Sequence, residues 1–243
     1  MAAPRWGGLE RAEQDRLTAL LAWLLVRMEA LEPLYVSRSS QHGYDLARRH
    51  LEAAVHTDYM FGAMNDIFTG HGLPADASVR DAYMASSLRW HLERLEPGTR
   101  VVLAAHNAHI QKTPAYYNGE LAALPMGHYL AGVLGGDYRA IALTHTADSV
   151  PELYPDGSPE TGFTVSGTSL DPPSAGSIEG ALVAAGLGAR PTLTDLRPLA
   201  HRSDGQPGRI RCQSDELDLP VATAFDAVLS VPTITPEITT ALA

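Results

Sequence analysis

Along the first third of the chain, apolar side chains return every three or four residues. Between residues 9 and 31 they fall at Leu17, Leu20, Leu21, Leu24, Leu25, Met28 and Leu31, which predicts an amphipathic helix stopped by Pro33. Leu46, Leu51, Val55 and Met60 predict a second helix from about Tyr44 to Phe68. Gly70-His71-Gly72 with Pro74 breaks the pattern. Asp76 or Ser78 can cap a third helix through Leu95, closed by Pro97-Gly98.

The pattern then changes from periodic to blocky. Val101-Val102-Leu103-Ala104-Ala105 is an unbroken apolar run between polar residues, the mark of a strand buried on both faces, as in parallel sheets. Gly119 to Leu134 reads as a helix closed by Gly135-Gly136. Tyr138 to Thr144 reads as a second buried strand, Ser177 to Leu187 as a short helix, and 191–196 and 225–231 as two more strands. Residues 147–176, rich in Pro, Gly, Ser, Thr and Asp, suggest a long loop or an excursion with short strands over a site. The expectation is an α/β protein with a mostly parallel sheet, flanking helices and a helical lid or subdomain on the N-terminal side. It is read as one domain over 1–243, mainly helical over 9–96 and α/β over 97–243.

Composition narrows the classes. The 243 residues are 45% hydrophobic and 19% charged, which is globular rather than disordered, and the net charge of −10 argues against a nucleic-acid surface. A single cysteine, Cys212, excludes an intrachain disulfide framework and a cysteine-based zinc site; it reads as a small buried hydrophobe. The opening residues have no apolar signal core behind them, and the longest apolar stretch, Leu17 to Met28, is too short to span a bilayer. A cytoplasmic protein without membrane or nucleic-acid partners is expected.

The local chemistry concentrates in Ala105-His106-Asn107-Ala108-His109, directly after the predicted strand. In open α/β sheets ligands bind beyond the carboxyl ends of strands. A histidine there can take a proton from water near neutral pH, and an asparagine can orient it or donate to an oxyanion. The plainer alternative is that both histidines are structural. A metal pair lacks an obvious third ligand, and the His-Glu-x-x-His zinc pattern is absent. His145, at the end of the second strand, is a candidate on the same sheet edge. Arg80, beside Asp81 at the third helix start, either makes a local ion pair or holds a substrate oxygen or carboxylate. Tyr116 either packs or lines a substrate pocket. No nucleophile elbow, dinucleotide glycine motif or Walker loop occurs, so no cofactor is expected.

Arg80-Asp81 with Met84-Ala85, Trp90, Val101 through His109, Met126-Gly127-His128-Tyr129-Leu130, Asp137-Tyr138 running into Leu143, and Phe225-Asp226 resemble the erythromycin esterase family in order and spacing. The run from Arg80 to Leu143 is the specific part. The resemblance implies an α/β core with added helices and a metal-independent hydrolase that opens macrolide lactones with histidine-activated water. By position, His106 and His109 match the family's C-terminal histidine pair, and Arg80-Asp81 its arginine-aspartate helix start. Two departures stand out. The family's earlier strand ending in Gly-Glu-x-x-His-Gly is missing, and Ser87 stands where the family has asparagine. The chain therefore reads as an incomplete version of the family fold. Two functions are expected in competition: hydrolysis of a lactone or other ester, with His106 as base or oxyanion partner and His109, Asn107 and Arg80 in support; or a truncated, inactive relative that binds a ligand or partner, or associates with itself through an exposed sheet edge.

Overall fold

A computed structural model describes residues 2–117, 119–155, 163–202 and 204–234. It divides into two compact units, Met1–Ser87 and Leu88–Ala243. None of the described helices is long and apolar enough to cross a membrane.

The first unit is helical. Helices α1 (Ala2–Gly7), α2 (Arg11–Ala30), α3 (Glu32–Arg38) and α4 (Gln41–Phe68) follow one another, then a 3-10 turn at Pro74–Ala77 leads into α5 (Ser78–Leu92). Pro33 both ends one helix and opens the next, because its missing N–H costs nothing in a first turn. Ser40 caps α4 by accepting the N–H of Gly43. The buried Asp58 joins three helices, accepting from Trp6 Nε1 of α1 and from Thr18 of α2. Arg49 of α4 donates to Ser87 of α5 (2.6 Å) and lies over the Tyr83 ring. Ser87 thus has a structural partner inside this unit. The apolar stripe of α2 is present but contains no buried residue.

The second unit contains α6 (Asn107–Ile110), the hairpin β1 (Ala115–Tyr117) and β2 (Glu120–Ala123), and α7 (Met126–Leu134). Next come β3 (Ile141–His145), the hairpin β4 (Ser149–Pro155) and β5 (Phe163–Ser169), and α8 (Ile178–Ala184). Strand β6 (Thr192–Asp195), the hairpin β7 (Arg209–Cys212) and β8 (Asp215–Asp218), α9 (Val221–Ala224) and β9 (Ala227–Val231) complete it. The largest sheet has three strands in the order β3-β9-β6. Among the described residues, only β3 with β9 pair as parallel strands; β6 with β9 and the three hairpins are antiparallel.

Several expectations are corrected here. A mostly parallel sheet is not formed, because four of the five pairings are antiparallel. Residues 101–105 form no strand and are exposed, since no neighbouring strand among the described residues bonds to them. The first half of the helix predicted over 119–134 is instead the β1–β2 hairpin, whose glycine turn (Gly119, φ +82°) competes with helix. The excursion over 147–176 is the β4–β5 hairpin, with 156–162 outside the described residues. The β7–β8 hairpin and α9 had no legible signal.

The core lies on one face of the three-stranded sheet. Ala142 and Val228 meet Ile178 and Leu182 of α8, with Leu196, Ile210 and Phe225 filling the space between. Asp226 locks the entry to the sheet. Its Oδ2 accepts the N–H of Ala140 (2.8 Å), its own N–H donates to Ala140 O, and its Oδ1 pairs with Lys112 Nζ at 2.9 Å. Tyr138 donates to Ile110 O (2.6 Å), and burial, with the Asp226 charge, pushes its phenol pKa up to about 12. Strand β3 and the turn α6 are therefore fastened together just before the strand begins. Asp226→Ala leaves a buried amide and a partly buried ammonium without their acceptor. It is expected to cost about 2–4 kcal/mol, read as a lower urea midpoint at unchanged slope.

Candidate functional site

The site is built on the single helical turn α6, which opens with His106 at the N-cap. Two contacts hold the turn. Gly127, in the first turn of α7, lies so close to the Ile110–Gln111 backbone that a Cβ would sit 2.1 Å from Ile110 O. Asn107, buried, donates to Leu143 O (2.6 Å) and accepts Leu143 N–H (3.0 Å) through its own amide.

The second contact has a simple origin in ladder geometry. Ala140 and Thr146, at the two ends of β3, bond to β9. Alternation then turns the backbone groups of 141, 143 and 145 toward the strand's other side. That side is a sheet edge, because β3 is terminal in the order β3-β9-β6. The Asn107 side chain fills the middle slot of the edge as a peptide group of a neighbouring strand would. Both ends of the amide are committed, so Asn107 holds the histidine turn in place.

His106 is oriented by its own helix. Its Nδ1 accepts the N–H of Ala108 at 3.2 Å. A nitrogen that accepts carries a lone pair, so in the neutral ring the proton sits on Nε2. Burial first, then the neighbouring His109 ring, push the His106 pKa below the ordinary value of 6.5 and favour that neutral ring. Its Nε2 faces Cys212 Sγ at 3.8 Å. Burial, then the charges of Glu152 and Asp215, raise the Cys212 pKa, so the sulfur is a thiol at neutral pH and the contact is not an ion pair. Cys212 is half-buried beside a candidate histidine. Its neighbour lies 106 positions away in the chain, so no local pattern could have linked them.

A buried polar layer runs beneath this pair. Glu179, fully buried at the start of α8, accepts from Thr144 Oγ1 of β3 and from the N–H of Arg211 of β7 through the same oxygen. Arg211 donates to the carbonyls of Ala147 (2.7 Å) and Asp171 (2.6 Å). His145 is buried at the end of β3; burial first, then the Arg211 charge, lower its pKa. Arg211 and Gln213, on either side of Cys212, line a polar cleft of about 500 Å³ that also has Ser169, Asp171, Arg209 and Glu216 in its wall. None of the sequence signals pointed to Glu179, Arg211 or this cleft.

The remaining candidates lie elsewhere. Tyr116 is exposed on β1, opposite Leu121. Arg80 belongs to the first unit, with its Nε 4.0 Å from Oδ2 of the buried Asp81. Among the described residues, no group of three His, Cys, Asp or Glu side chains could hold a metal ion.

A helical unit and an α/β unit that carries a histidine turn clamped to a sheet edge define a class of architecture, and comparison with known proteins gives the family. The Erythromycin esterase family model matches residues 2–234. The chain is 33% identical over 223 residues to an erythromycin esterase type II of Escherichia coli, covering 92% of this chain and 53% of that protein. To an erythromycin esterase type I of Escherichia coli it is 34% identical over 235 residues, covering 95% and 55%. A solved structure of an erythromycin esterase mutant in its open conformation matches with a TM-score of 0.85 and 32% identity, over 95% of this chain and 55% of that one. A succinoglycan biosynthesis protein shares the fold alone, with a TM-score of 0.63 at 17% identity. The chain belongs to the erythromycin esterase family, and it spans about half the length of the relatives it matches.

Two outcomes test this geometry. Asn107→Asp keeps the shape but removes the donor to Leu143 O and faces that carbonyl with a charged oxygen. It is expected to cost about 1–3 kcal/mol and to speed hydrogen exchange of the Leu143 amide. The depressed His145 and His106 values mean that the folded chain binds fewer protons than the unfolded chain just below pH 6.5. Stability from these groups is complete above about pH 6.5 and is lost as the pH falls below it. Melting temperatures from pH 8 to 5 are expected to drop below that point, with a shallower drop in His145→Gln.

Proposed function

We propose that the chain carries part of the active site of a hydrolase that cleaves a macrolide lactone or other ester with water. The observation that supports this most directly is the His106–Ala108 contact. It leaves the Nε2–H of a neutral imidazole to donate to the carbonyl oxygen as negative charge develops there, the oxyanion half of the expected role. His109, three residues on in the same turn, is assigned the general base. It takes a proton from water as the water oxygen attacks the acyl carbon; the acyl–oxygen bond then breaks and the proton passes to the leaving alkoxide. Asn107 positions the turn. His145 is assigned to the buried polar layer of the same unit. No cofactor or metal enters the scheme. Family membership supports the reaction class, and erythromycin is the natural first substrate to try, since two relatives are named for it.

The competing reading is a relative that binds without turnover.

The two readings separate in one mutational series, with ring-opened erythromycin quantified by mass spectrometry. His106→Ala is expected to lower kcat about 10²–10³-fold by removing the donor. His106→Gln, whose amide can donate from a similar place, is expected to recover part of that loss. His109→Ala is expected to lower kcat about 10²–10⁴-fold without recovery by glutamine. Equal loss in His106→Gln and His106→Ala would sink the donor assignment; no turnover by the folded wild-type chain would favour the binding reading.

A further inference from the structure

Strands β3 and β7 both meet the histidine turn, yet they belong to different sheets: β3 pairs with β9, and β7 with β8. Among the described residues no ladder joins β3 to β7. Strand β3 carries the clamp, since Asn107 is bonded to the backbone of Leu143. Strand β7 ends in Cys212, whose sulfur faces His106 Nε2 at 3.8 Å. A ladder fixes the gap between two strands by its own repeat. Here side chains have to fix it.

Glu179, fully buried in the first turn of α8, supplies that joint. Its Oε1 accepts the hydroxyl of Thr144, the residue after Leu143, and the N–H of Arg211 (3.1 Å), the residue before Cys212. Two chains of contacts thus run from one oxygen to His106. One passes through Thr144, Leu143 and Asn107, the other through Arg211 and Cys212. The start of α8 is itself held: Ser177 caps it by accepting the Gly180 N–H (3.0 Å) and bridges to Arg209 of β7. The other oxygen of Glu179, Oε2, is buried without a partner among the described residues. Burying a carboxyl group is costly, and Ile178 and Leu182 of the same helix are ordinary apolar core. What two bonds to one buried acceptor supply in return is a single spacing of the groups they hold.

We propose that Glu179 is a positioning residue for His106: by tying Thr144 and Arg211 to one oxygen it sets the gap between β3 and β7, and with it the seat of the His106 ring against Cys212. Glu179 is bonded to neither His106 nor Cys212 and acts only through the two chains of contacts. One oxygen takes both bonds, so a glutamine can keep them with its carbonyl oxygen, whereas an alanine keeps neither. The acceptor is what the site needs, and the charge is dispensable. The seat of the ring is a matter of geometry and can be read without turnover. Only the kinetic part of the test rests on the hydrolytic reading above.

Cys212 is the single cysteine of the chain, so labelling with iodoacetamide, read by intact mass, reports on the neighbour of the His106 ring alone. The rate is measured on the full folded chain, well below its melting temperature. Burial keeps the wild-type thiol slow. Glu179→Ala is expected to speed labelling about tenfold, and Thr144→Val, which cuts only the arm to β3, about threefold. Glu179→Gln is expected to label at nearly the wild-type rate. Ser177→Ala weakens the start of the same helix but touches neither bond; it is expected to lower the melting temperature and leave labelling unchanged. With erythromycin as substrate, Glu179→Ala and Thr144→Val are expected to lower kcat by about tenfold at unchanged KM, and Glu179→Gln to recover it. Equal labelling in all four variants overturns the proposal. So does Glu179→Gln labelling as fast as Glu179→Ala, or Ser177→Ala as fast as Thr144→Val. Should Glu179→Ala not fold, Thr144→Val against Glu179→Gln and Ser177→Ala decides by the same comparison. The expected labelling pattern in a chain without turnover supports the positioning role and counts against the hydrolytic reading; turnover with flat labelling does the reverse.

Discussion

The arrangement of the second unit depends on the amide of Asn107 in the backbone slot of β3. One side of that strand is satisfied by β9; the other is a bare edge, and its central N–H and C=O are met by a side chain rather than a strand. The consequence is mechanical. The turn that begins with His106 cannot drift along the edge without breaking two hydrogen bonds made by the buried Asn107 amide. Gly127 closes the same turn from behind, since only a glycine admits the Ile110 carbonyl there. Asp226 fixes the level of the strand relative to the turn, through Ala140 on one side and Lys112 on the other. The side-chain amide and the glycine hold the turn itself, and the carboxylate holds the residues that flank it.

Electrostatics at the site follow from burial more than from charge pairing. His106 and His145 are both pushed toward the neutral form, with burial as the leading cause and a nearby basic side chain second. Cys212 is held as a thiol by burial and by carboxylates. A neutral imidazole against a neutral thiol is a weak contact, which leaves Nε2–H of His106 free to exchange it for a charged acceptor. Beneath them Glu179 links β3, β7 and α8 through one oxygen, and Arg211 spends its guanidinium on two carbonyls. These hydrogen bonds commit the groups to structure.

The apolar run at 101–105 and the exposed Leu143 and Leu193 of the three-stranded sheet are consistent with one another. Both are strand chemistry without the neighbours that strand chemistry requires. The parallel texture expected from unbroken apolar runs is met only at β3 and β9; elsewhere hairpins supply antiparallel pairs.

Several features were legible in the sequence alone. Helices α2, α4, α5, α7 and α8 follow from three-and-four spacing, capping serines and glycine stops, because those signals act within a few residues of one another. The strands β3, β6 and β9 follow from short apolar runs, and the family from the ordered motifs between Arg80 and Asp226. Tertiary structure alone decided which way the strands pair, since parallel and antiparallel ladders draw on the same residues. It also decided that Asn107 serves the edge of β3, that Cys212 meets His106, and that Glu179 and Arg211 lie beneath the histidines. Those partners are separated by 32 to 106 positions, and a contact that spans such a loop leaves no periodic trace in the chain.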